Sequence, residues 1–439
     1  MVESNLIQLD EHQSSVDVWT NPRARSGYRL VVLGGGEPAK ALCLEALRYG
    51  LSLAWISDAK EDASLFSELA TKGVDCFYSE ASFVDDTCVE VDGQAVTFSR
   101  AVLVPSLKWY LPKIPGVVQK HVLTPDCIDV ETPLPEEVVI TGTGPQACAL
   151  AQSIVKRGVR VRMLSGDGEI LHGFPLEAAQ VVRKEMESAG IELLLGRDAL
   201  EVEFEENSRA NLLIAFGDKQ EKIETTQLIC ADAPMLKLSV SELKAAQISL
   251  RAQELVLDEY WRTTNSKIYA LTNVRLYSQQ EEWSIGQVQG LLQNALMFRR
   301  HKIGDFPVPL RVPTTPPMFV LGDSGGREKD ADEIQTLRQD FKDHADIHSG
   351  GDAAGFIEVD IDAQTGRCLS ALLVGACSEE LITQFCFLQQ ENKPITQLLE
   401  CDYAQPGFGA VLRSLAYQSK PKTDMWARLE GLLDYLPGR

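Results

Sequence analysis

A chain of 439 residues with 44% hydrophobic side chains is long enough for two or three hydrophobic cores and too long for one. Its formal net charge of −21 repels phosphate backbones and anionic lipid, which argues against nucleic acid and membrane surfaces as partners. The sequence has no apolar stretch of the roughly 18 residues that a membrane span needs, and it does not begin like a signal or transit peptide. We therefore expect a cytoplasmic protein of several domains.

The first part of the chain alternates short apolar runs with helical stretches, which is typical of a doubly wound α/β protein. A helix is predicted from about Pro38 to Tyr49, between the first two strands. The predicted strands lie in YRLVVLGGG, SLAWIS, VDCFYSEASFV, CVEVDG and AVTFSRAVLVPS.

The second part repeats this plan, and the third part differs from it. After LPEE the sequence predicts a strand in VVITGTG, a helix to about Arg157, a strand in VRVRMLS, a helix around 176–189, a strand in IELLLG and a hairpin in ALEVEFEEN and NLLIAFGDK. The proline-rich FPVPLRVPTTPP marks the start of the third part. There, FIEVDIDAQTGRCLSALLVG predicts two alternating strands around a Thr-Gly turn, and SEELITQFCFLQQEN predicts a helix.

Two strand-turn-helix joints carry the pattern G-x-G-x-x-G/A. In a dinucleotide-binding half, the first glycine makes the tight turn, the second lets a pyrophosphate approach the backbone, and the third small residue lets helix and strand pack closely. Two matches, each after an apolar strand, favour Rossmann-like halves. The matching residues are Gly34, Gly36 and Ala39 in the first half, and Gly142, Gly144 and Ala147 in the second.

Over nearly everything from about Tyr28 to Tyr417, the chain resembles the pyridine nucleotide-disulfide oxidoreductases, the flavoprotein family of glutathione reductase, lipoamide dehydrogenase and mercuric reductase. The segments that carry the resemblance are EASFVDDTCVEVDGQAVTFSRAVLVPS, GVRVRMLSGDGEIL, LDEYWRTTNSKIYALTNV and FIEVDIDAQTGRCLSALLVGACSEELI. The resemblance implies an FAD-type domain in 27–125 and 250–310, an NAD(P)-type domain in 126–249, and a C-terminal dimerisation domain in 311–439. An acidic N-terminal extension, 1–26, precedes them.

The residues that carry the family's chemistry are mostly altered in this sequence. The family bears C-x4-C on a long helix after the second strand, and this chain passes from SLAWIS to the next strand block in about two dozen residues without such a pair. The family's C-terminal His-Pro and Glu correspond to DYAQPGFGAVL, which has no histidine. No catalytic residue is therefore assigned.

The nucleotide contacts of the family are altered in parallel. A Rossmann half places Asp or Glu at the end of its second strand to bind a ribose, and the corresponding residues here are Ser57 and Ser165. Asp58 lies next to the first of these serines and is a candidate substitute. The family's flavin-contacting Gly-Asp reads Thr272-Asn273, and an Asn side chain still hydrogen-bonds a hydroxyl.

From these changes we expect FAD to be bound weakly or lost on purification, and the NAD(P)-type half to be the poorer nucleotide site. The loss of two charge-assisted hydrogen bonds, at Ser57 and Asn273, weakens binding by roughly a hundredfold. Glu37 lies at the start of the first helix, so its carboxylate either points to solvent or occupies the anion position and repels phosphate.

Other polar and thiol groups have structural as well as functional interpretations. The ten cysteines include no C-x-x-C pair and are interpreted as buried thiols, and Cys148 either has a lowered pKa at a helix start or packs against the sheet. His344 and His348 have the spacing of one helical face, but a solvated loop is favoured over a metal site.

Two functions remain open from the sequence. The chain is a catalytically retired, homodimeric scaffold or regulator, with an unidentified protein partner, or it is an FAD-dependent NAD(P)H oxidoreductase that passes electrons to a non-disulfide acceptor. The first is favoured because the losses are many and physically independent of one another.

Overall fold

The computed structural model describes most of the chain. The described residues are 19–105, 107–118, 121–205, 209–217, 219–232, 234–236, 240–251, 254–271, 283–297, 300–322, 333–343, 354–403 and 407–419. The chain forms two compact units. The first unit comprises Met1–Phe174 with Met186–Val308, and the second comprises Pro175–Glu185 with Pro309–Arg439.

The first unit begins with a parallel sheet of five strands in the order β20-β7-β1-β2-β3. Four of them and their helices lie early in the chain, and the chain returns to the sheet much later, at β20. The early elements are β1 (Leu30–Gly34), α1 (Gly36–Leu47), β2 (Leu53–Ser57), α2 (Lys60–Thr71), β3 (Val74–Tyr78), β4 (Ala81–Phe83), β5 (Cys88–Val91), β6 (Gln94–Thr97), β7 (Ala101–Val104) and β8 (Leu107–Trp109).

A second parallel sheet, in the order β12-β11-β10-β16-β9, and an antiparallel sheet of β13, β14 and β15 follow. Their elements are β9 (Val122–Leu123), β10 (Glu137–Thr141), α3 (Pro145–Val155), β11 (Arg160–Ser165), α4 (Leu176–Ser188), β12 (Glu192–Leu195), β13 (Asp198–Phe204), β14 (Ala210–Phe216), β15 (Lys219–Thr225), β16 (Gln227–Cys230) and β17 (Pro234–Leu236). The return to the first sheet includes α5 (Val240–Ala245), β18 (Leu250–Arg251), β19 (Glu254–Leu255), β20 (Ile268–Ala270) and α6 (Ile285–Met297).

Both faces of the first sheet are covered, as its uninterrupted apolar strands require. Leu30 and Val32 of β1 point into one core together with Trp55 and Phe66, while Val31 and Leu33 point into the core on the other face. Successive β1 side chains therefore alternate between two buried layers, which fixes the register of β1 against its neighbours.

The second unit is built on an antiparallel sheet in the order β21-β22-β25-β24-β23. Its later elements are β21 (Leu310–Val312), β22 (Met318–Leu321), β23 (Ile334–Asp340), β24 (Gly355–Asp362), β25 (Cys368–Gly375), α7 (Ser378–Gln390) and α8 (Gly409–Gln418). The core of this unit joins Ile357, Val359 and Leu373 of the sheet to Phe385 of α7 and Leu412 of α8.

One arginine links the α4 segment of the second unit to its sheet. The Arg338 guanidinium on β23 donates two hydrogen bonds of 2.7 Å to the Glu177 carboxylate and lies 3.9 Å from the ring centre of Phe356. It also contacts Asp340 and Glu358. The first part of α4 therefore belongs to the C-terminal unit, although its sequence lies between two strands of the second parallel sheet.

The predicted α/β class, with parallel sheets typical of Rossmann-like halves, is confirmed. The predicted strands and both predicted hairpins are present, and the Thr-Gly turn lies between β24 and β25. The helices α2, α5, α6 and α8, and strands such as β15 and β16, are additional to the prediction. The first helix begins at Gly36 rather than near Pro38. The assignment of FAD-type and NAD(P)-type segments stays a prediction.

None of the helices in the described part of the chain is both long and apolar enough to cross a membrane.

Candidate functional site: two glycine turns

The first glycine turn joins β1 to α1 under tight steric limits. Gly34 has φ +115°, and a Cβ atom on it would lie 1.8 Å from the carbonyl oxygen of Val104 at the end of β7. The Trp55 indole N–H donates to the Gly34 carbonyl at 2.8 Å, which fixes the turn against β2. Gly34 is therefore required by the packing of the sheet, independently of any nucleotide.

The start of α1 offers few backbone donors. The first N–H groups of a helix have no carbonyl partner within the helix, and here they belong to Gly36 and Glu37, since Pro38 has no N–H. Ala39 is fully buried and supplies the small residue at which helix and sheet meet. This set of N–H groups is the position at which the fold binds an anion.

An internal carboxylate already lies at this position. Both Asp62 carboxylate oxygens are 3.1 Å from the Gly36 nitrogen, whose N–H they accept, and the Ser57 hydroxyl donates to one of them at 2.6 Å. Asp62 is 2% exposed and Ser57 is 3% exposed. Asp62 comes from the first turn of α2, and Ser57 from the last position of β2. The two side chains therefore bind the glycine turn from within the protein.

The residue between the two pattern glycines makes room for this carboxylate. A Cβ atom on Gly35 would lie 2.2 Å from the nearer Asp62 oxygen and 2.7 Å from the Ser57 hydroxyl oxygen. The Ser57 hydroxyl also accepts the Ala59 N–H at 3.1 Å, so it is already bound on two sides. Ser57, expected at the ribose contact, positions Asp62, while Asp58 is exposed.

Glu37 takes the solvent orientation, one of the two that the sequence left open. Its side chain is 68% exposed and pairs with Lys40 at 3.3 Å. The carboxylate at the anion position comes from Asp62 instead.

As arranged here, the first turn does not fit the pyrophosphate of FAD. A pyrophosphate needs the N–H groups at the start of α1, and the Gly36 N–H is already bound by a negatively charged group. Two anions at one helix N-terminus repel one another more strongly than in water, because the site is shielded from solvent.

The second glycine turn joins β10 to α3 with the same backbone plan. Gly142 has φ +90°, and a Cβ atom on it would lie 2.5 Å from the carbonyl oxygen of Ala231 after β16. Gly144 precedes α3 as its N-cap, Pro145 is the first helical residue, and Ala147 is fully buried. The second turn therefore repeats the packing joint of the first.

The start of α3 differs from that of α1 in the groups that bind its N–H donors. The Gly36 N–H of α1 is bound by Asp62, whereas α3 begins with Pro145, which has no N–H to bind. Pro145 removes one N–H, and the N–H groups of Gln146 and Ala147 are the remaining donors before the first helical hydrogen bond, from Cys148 to Gly144. This half therefore fits a pyrophosphate at those two donors.

Ser165, expected at the ribose contact of the second half, ends β11. The Ser165 hydroxyl at the end of β11 accepts the Asp167 N–H at 3.1 Å, and the Asp167 side chain is exposed. A Cβ atom on Gly166 would lie 2.2 Å from an Asp198 carboxylate oxygen. The loop after β11 is therefore shaped by its own polar contacts.

A carboxyl with a raised pKa lies beside the second turn and binds a strand residue. The Thr141 hydroxyl donates to Asp232 at 2.5 Å, and burial raises the pKa of the Asp232 carboxyl, although the Thr141 hydrogen bond lowers it. Asp232 is the second half's nearest parallel to Asp62, and its carboxylate accepts from the Thr141 hydroxyl on β10.

All ten cysteines lie in the described part of the chain, and all are free thiols. Six are buried, so the prediction of buried thiols is confirmed for Cys43, Cys76, Cys88, Cys148, Cys230 and Cys368, while Cys127, Cys377 and Cys401 are exposed and Cys386 is half-buried. Burial raises the pKa of Cys148, whose Sγ lies 3.3 Å from the Thr143 carbonyl oxygen. Its packed interpretation is therefore confirmed. The helix between β2 and β3 carries no cysteine.

Several predicted positions lie outside the described residues. They are Thr272 and Asn273, expected at the flavin, His344 and His348, and residues 404–406 of the segment that corresponds to the family's His-Pro. No group of three metal-binding side chains occurs within the described ranges.

Sequence reasoning missed Asp62. A signal was present, since Phe66 and Leu69 have helical spacing and Asp62 lies where acidic residues favour a helix start. That pattern predicts α2 but not the contact of its first turn with a glycine loop 26 residues earlier in the sequence.

Comparison with known proteins agrees with this architecture. Residues 28–295 match the family described as pyridine nucleotide-disulphide oxidoreductase. The mercuric reductase of Staphylococcus aureus is 23% identical over 314 residues, which are 71% of this chain and 57% of that protein. The dihydrolipoyl dehydrogenase of Mycobacterium leprae is 22% identical over 327 residues, 72% of this chain and 68% of that protein. The chain thus spans just over half the length of the mercuric reductase.

Solved structures share the fold at lower sequence identity. The HOCl-induced flavoprotein disulfide reductase RclA from Escherichia coli has a TM-score of 0.75 and 18% identity, with 90% of this chain and 100% of that chain covered. LpdA from Mycobacterium tuberculosis has a TM-score of 0.76 and 16% identity, with the same coverage.

Proposed function

Because this chain belongs to the pyridine nucleotide-disulphide oxidoreductase family, we propose that it is a member without disulfide reductase activity, which works as a homodimeric scaffold or regulator with weak nucleotide binding. The family's cofactors are FAD and NAD(P), and the proposal concerns what this chain has kept of that apparatus. A protein partner of unidentified kind would be the target of a scaffold.

The arrangement of the thiols carries the proposal. Disulfide reduction through a thiol relay needs a thiolate nucleophile and a second thiol close to it. The helix between β2 and β3, where the resemblance places C-x4-C, has the sequence KEDASLFSELAT. Burial raises the pKa of Cys76, just beyond that helix, to about 12, which disfavours its thiolate.

The nucleotide contacts support weak binding rather than full retention of FAD. Ser57 stands in place of the ribose carboxylate and is committed to Asp62 and Ala59. The N–H group of Gly36 is bound by Asp62. FAD would therefore bind in competition with contacts that the protein already makes.

The test of the proposal is an activity assay with three disulfide-reductase substrates. Purified protein is mixed with NADH or NADPH and with glutathione disulfide, lipoamide or mercuric ion, and nucleotide oxidation is followed at 340 nm. We expect no turnover above background. Turnover that disappears when a single cysteine is replaced by serine would show that a redox pair exists and that the proposal is wrong.

The homodimer part of the proposal rests on the second unit. The side chains of Phe387 on α7 and Tyr417 on α8 are exposed by 55% and 52%, so both helices present large apolar groups on their outer surfaces. With 21 net negative charges on each chain, the contact would have to be largely apolar. Light scattering at micromolar concentration should give twice 48.4 kDa, and a monomer mass would remove this claim.

A second function is supported by the second glycine turn. The start of α3 keeps its glycine plan, and the N–H groups of Gln146 and Ala147 fit a pyrophosphate. An FAD-dependent NAD(P)H oxidoreductase that delivers electrons to a non-disulfide acceptor would need this site. The visible spectrum of freshly purified protein distinguishes the two functions. A flavin band that bleaches on addition of NADH or NADPH would favour the oxidoreductase.

A further inference from the structure

We propose that Asp62 is an internal ligand of the first glycine turn that competes with the pyrophosphate of FAD, so that FAD binds to this half only when the carboxylate leaves the Gly36 N–H. This inference deepens the weak nucleotide binding of the proposed function. It names one side chain as the main cause of that weakness.

The geometry supports competition in three ways. Both oxygens of the carboxylate are within hydrogen-bond distance of the Gly36 nitrogen, and the Ser57 hydroxyl holds one of them from the other side. The side chain is almost fully buried, so it is not a mobile surface group that solvent draws away. Its location over Gly35 fills the volume next to the loop, where a Cβ atom would meet the carboxylate oxygen at 2.2 Å.

The position of Asp62 is also set by its own helix. Asp62 lies in the first turn of α2, and its N–H donates to the Ala59 carbonyl at 3.2 Å. The partial positive charges at the N-termini of α1 and α2 both favour a carboxylate at this point. Release of the carboxylate to admit a ligand would break contacts to Gly36 and Ser57 together.

A different role for Asp62 would be that of the missing ribose acceptor. A ribose acceptor must present a carboxylate oxygen to the ligand, whereas the Asp62 oxygens face the Gly36 N–H and the Ser57 hydroxyl inside the protein. At 2% exposure they are not presented to a hydroxyl from outside. The arrangement therefore favours competition over ribose binding, and the two roles predict opposite effects of substitution.

The test compares FAD affinity in Asp62→Asn, Asp62→Ala and a matched control, Glu68→Gln. Glu68 lies on the same helix and is exposed, pairing with Lys72, so its substitution removes one negative charge without touching the turn. Asparagine keeps the shape of the side chain but removes its negative charge, so its hold on the Gly36 N–H is weaker and the repulsion of a pyrophosphate is lost, whereas alanine vacates the Gly36 N–H altogether. Circular dichroism and thermal melts confirm folding before each titration.

FAD binding is measured by equilibrium dialysis and by quenching of flavin fluorescence, with riboflavin as the probe that lacks the pyrophosphate. We expect both Asp62 variants to bind FAD at least tenfold more tightly than the wild type and Glu68→Gln, with no gain for riboflavin. If Asp62→Ala fails to fold, the Asn variant decides.

Three results would overturn the inference. Unchanged FAD affinity, or no detectable binding in any variant, would show that Asp62 is not what limits the site. Weaker binding in Asp62→Asn would identify it as a ribose ligand. An equal gain for riboflavin would show that the effect does not act through the pyrophosphate. These outcomes do not depend on the disulfide assay, so the inference and the proposed function can fail separately.

Discussion

The two glycine turns have the same backbone plan, but different groups bind beside them. In each, a glycine with positive φ approaches a neighbouring strand end, at Val104 in the first turn and Ala231 in the second. In the first turn the Asp62 carboxylate binds the helix start, whereas the second turn's Asp232 binds Thr141 on a strand. The packing role of a Rossmann turn is therefore separable from its anion-binding role.

This difference changes the expected ranking of the two halves. The sequence favours the first half as the better nucleotide site, because the start of its helix directs unpaired N–H groups and a partial positive charge toward the pyrophosphate position. With Asp62 at that helix start, we propose the opposite ranking, in which the second half binds a dinucleotide more readily. The predictions below test that comparison.

The largest effect is expected from adding a methyl group at either turn glycine. Gly34→Ala should lower the free energy of unfolding by about 3 kcal/mol and Gly142→Ala by about 2 kcal/mol, since each adopts positive φ and meets backbone oxygen. Gly168→Ala is the control, because a Cβ atom there has no neighbour within 4 Å. Urea denaturation measures all three. Wild-type stability in Gly34→Ala would show that the turn relaxes.

A carboxylate introduced at the start of α3 should weaken nucleotide binding there, as we propose that Asp62 does at the start of α1. Gly144 has φ −70° and ψ 176°, a backbone conformation that aspartate adopts without strain, and an Asp side chain at this N-cap position can cap α3. We expect its affinity for NADH or NADPH to fall by about tenfold, or roughly 1.4 kcal/mol, with a smaller fall in Gly144→Asn, which caps without a charge. Isothermal titration calorimetry measures both. Equal affinity in the Asp variant and the wild type would place the nucleotide elsewhere.

A smaller effect is expected from Asp232, and it depends on pH. Burial raises the pKa of this carboxyl in the folded protein, whereas an unfolded Asp titrates near 4. Folding stability therefore falls as pH rises from about 4 through the raised pKa, because the folded state resists losing the proton. The Asp232→Asn variant has no titrating carboxyl at this position. The melting temperature of the variant minus that of the wild type should therefore increase from pH 4 to pH 8. A constant difference across that range would contradict the assignment.

The smallest effect is expected from Glu37→Ala. The Glu37 side chain is exposed and pairs with Lys40, so FAD affinity should change by less than about twofold. The same titration that follows Asp62→Asn measures it. A large increase in the FAD affinity of Glu37→Ala would show that Glu37, and not Asp62, is the competing carboxylate.

The sequence predicts much of the fold because the pattern of each element is local. Two apolar runs, Val31 to Gly34 and Val138 to Thr141, lead into glycine-containing turns. In β24 and β25, apolar and polar residues alternate on either side of the turn that contains Gly366. The helix α2 was missed because its segment was compared with the longer cysteine-bearing helix of the family.

The chemistry of the first turn was less accessible to sequence reasoning. The positions of Ser57 and Asp58 are predictable, because the second strand of a Rossmann half ends at a nearly fixed distance in sequence after the first glycine. Asp62 could not be found in this way, because its contact depends on where α2 packs. Cys148 is a second example. A thiol with a lowered pKa at the helix start and a thiol packed against the sheet have the same sequence, and only the burial of the side chain distinguishes them.

The membership of α4 has a practical consequence for dividing the gene. Because residues 175–185 belong to the compact unit that otherwise begins at residue 309, a fragment that stops at 308 would carry Glu177 without the guanidinium of Arg338. The complementary fragment, which begins at residue 309, would contain Arg338 but not the α4 residue with which it pairs. Expression of the C-terminal unit as an isolated module therefore requires the α4 segment to be supplied, either as a grafted peptide or through circular permutation.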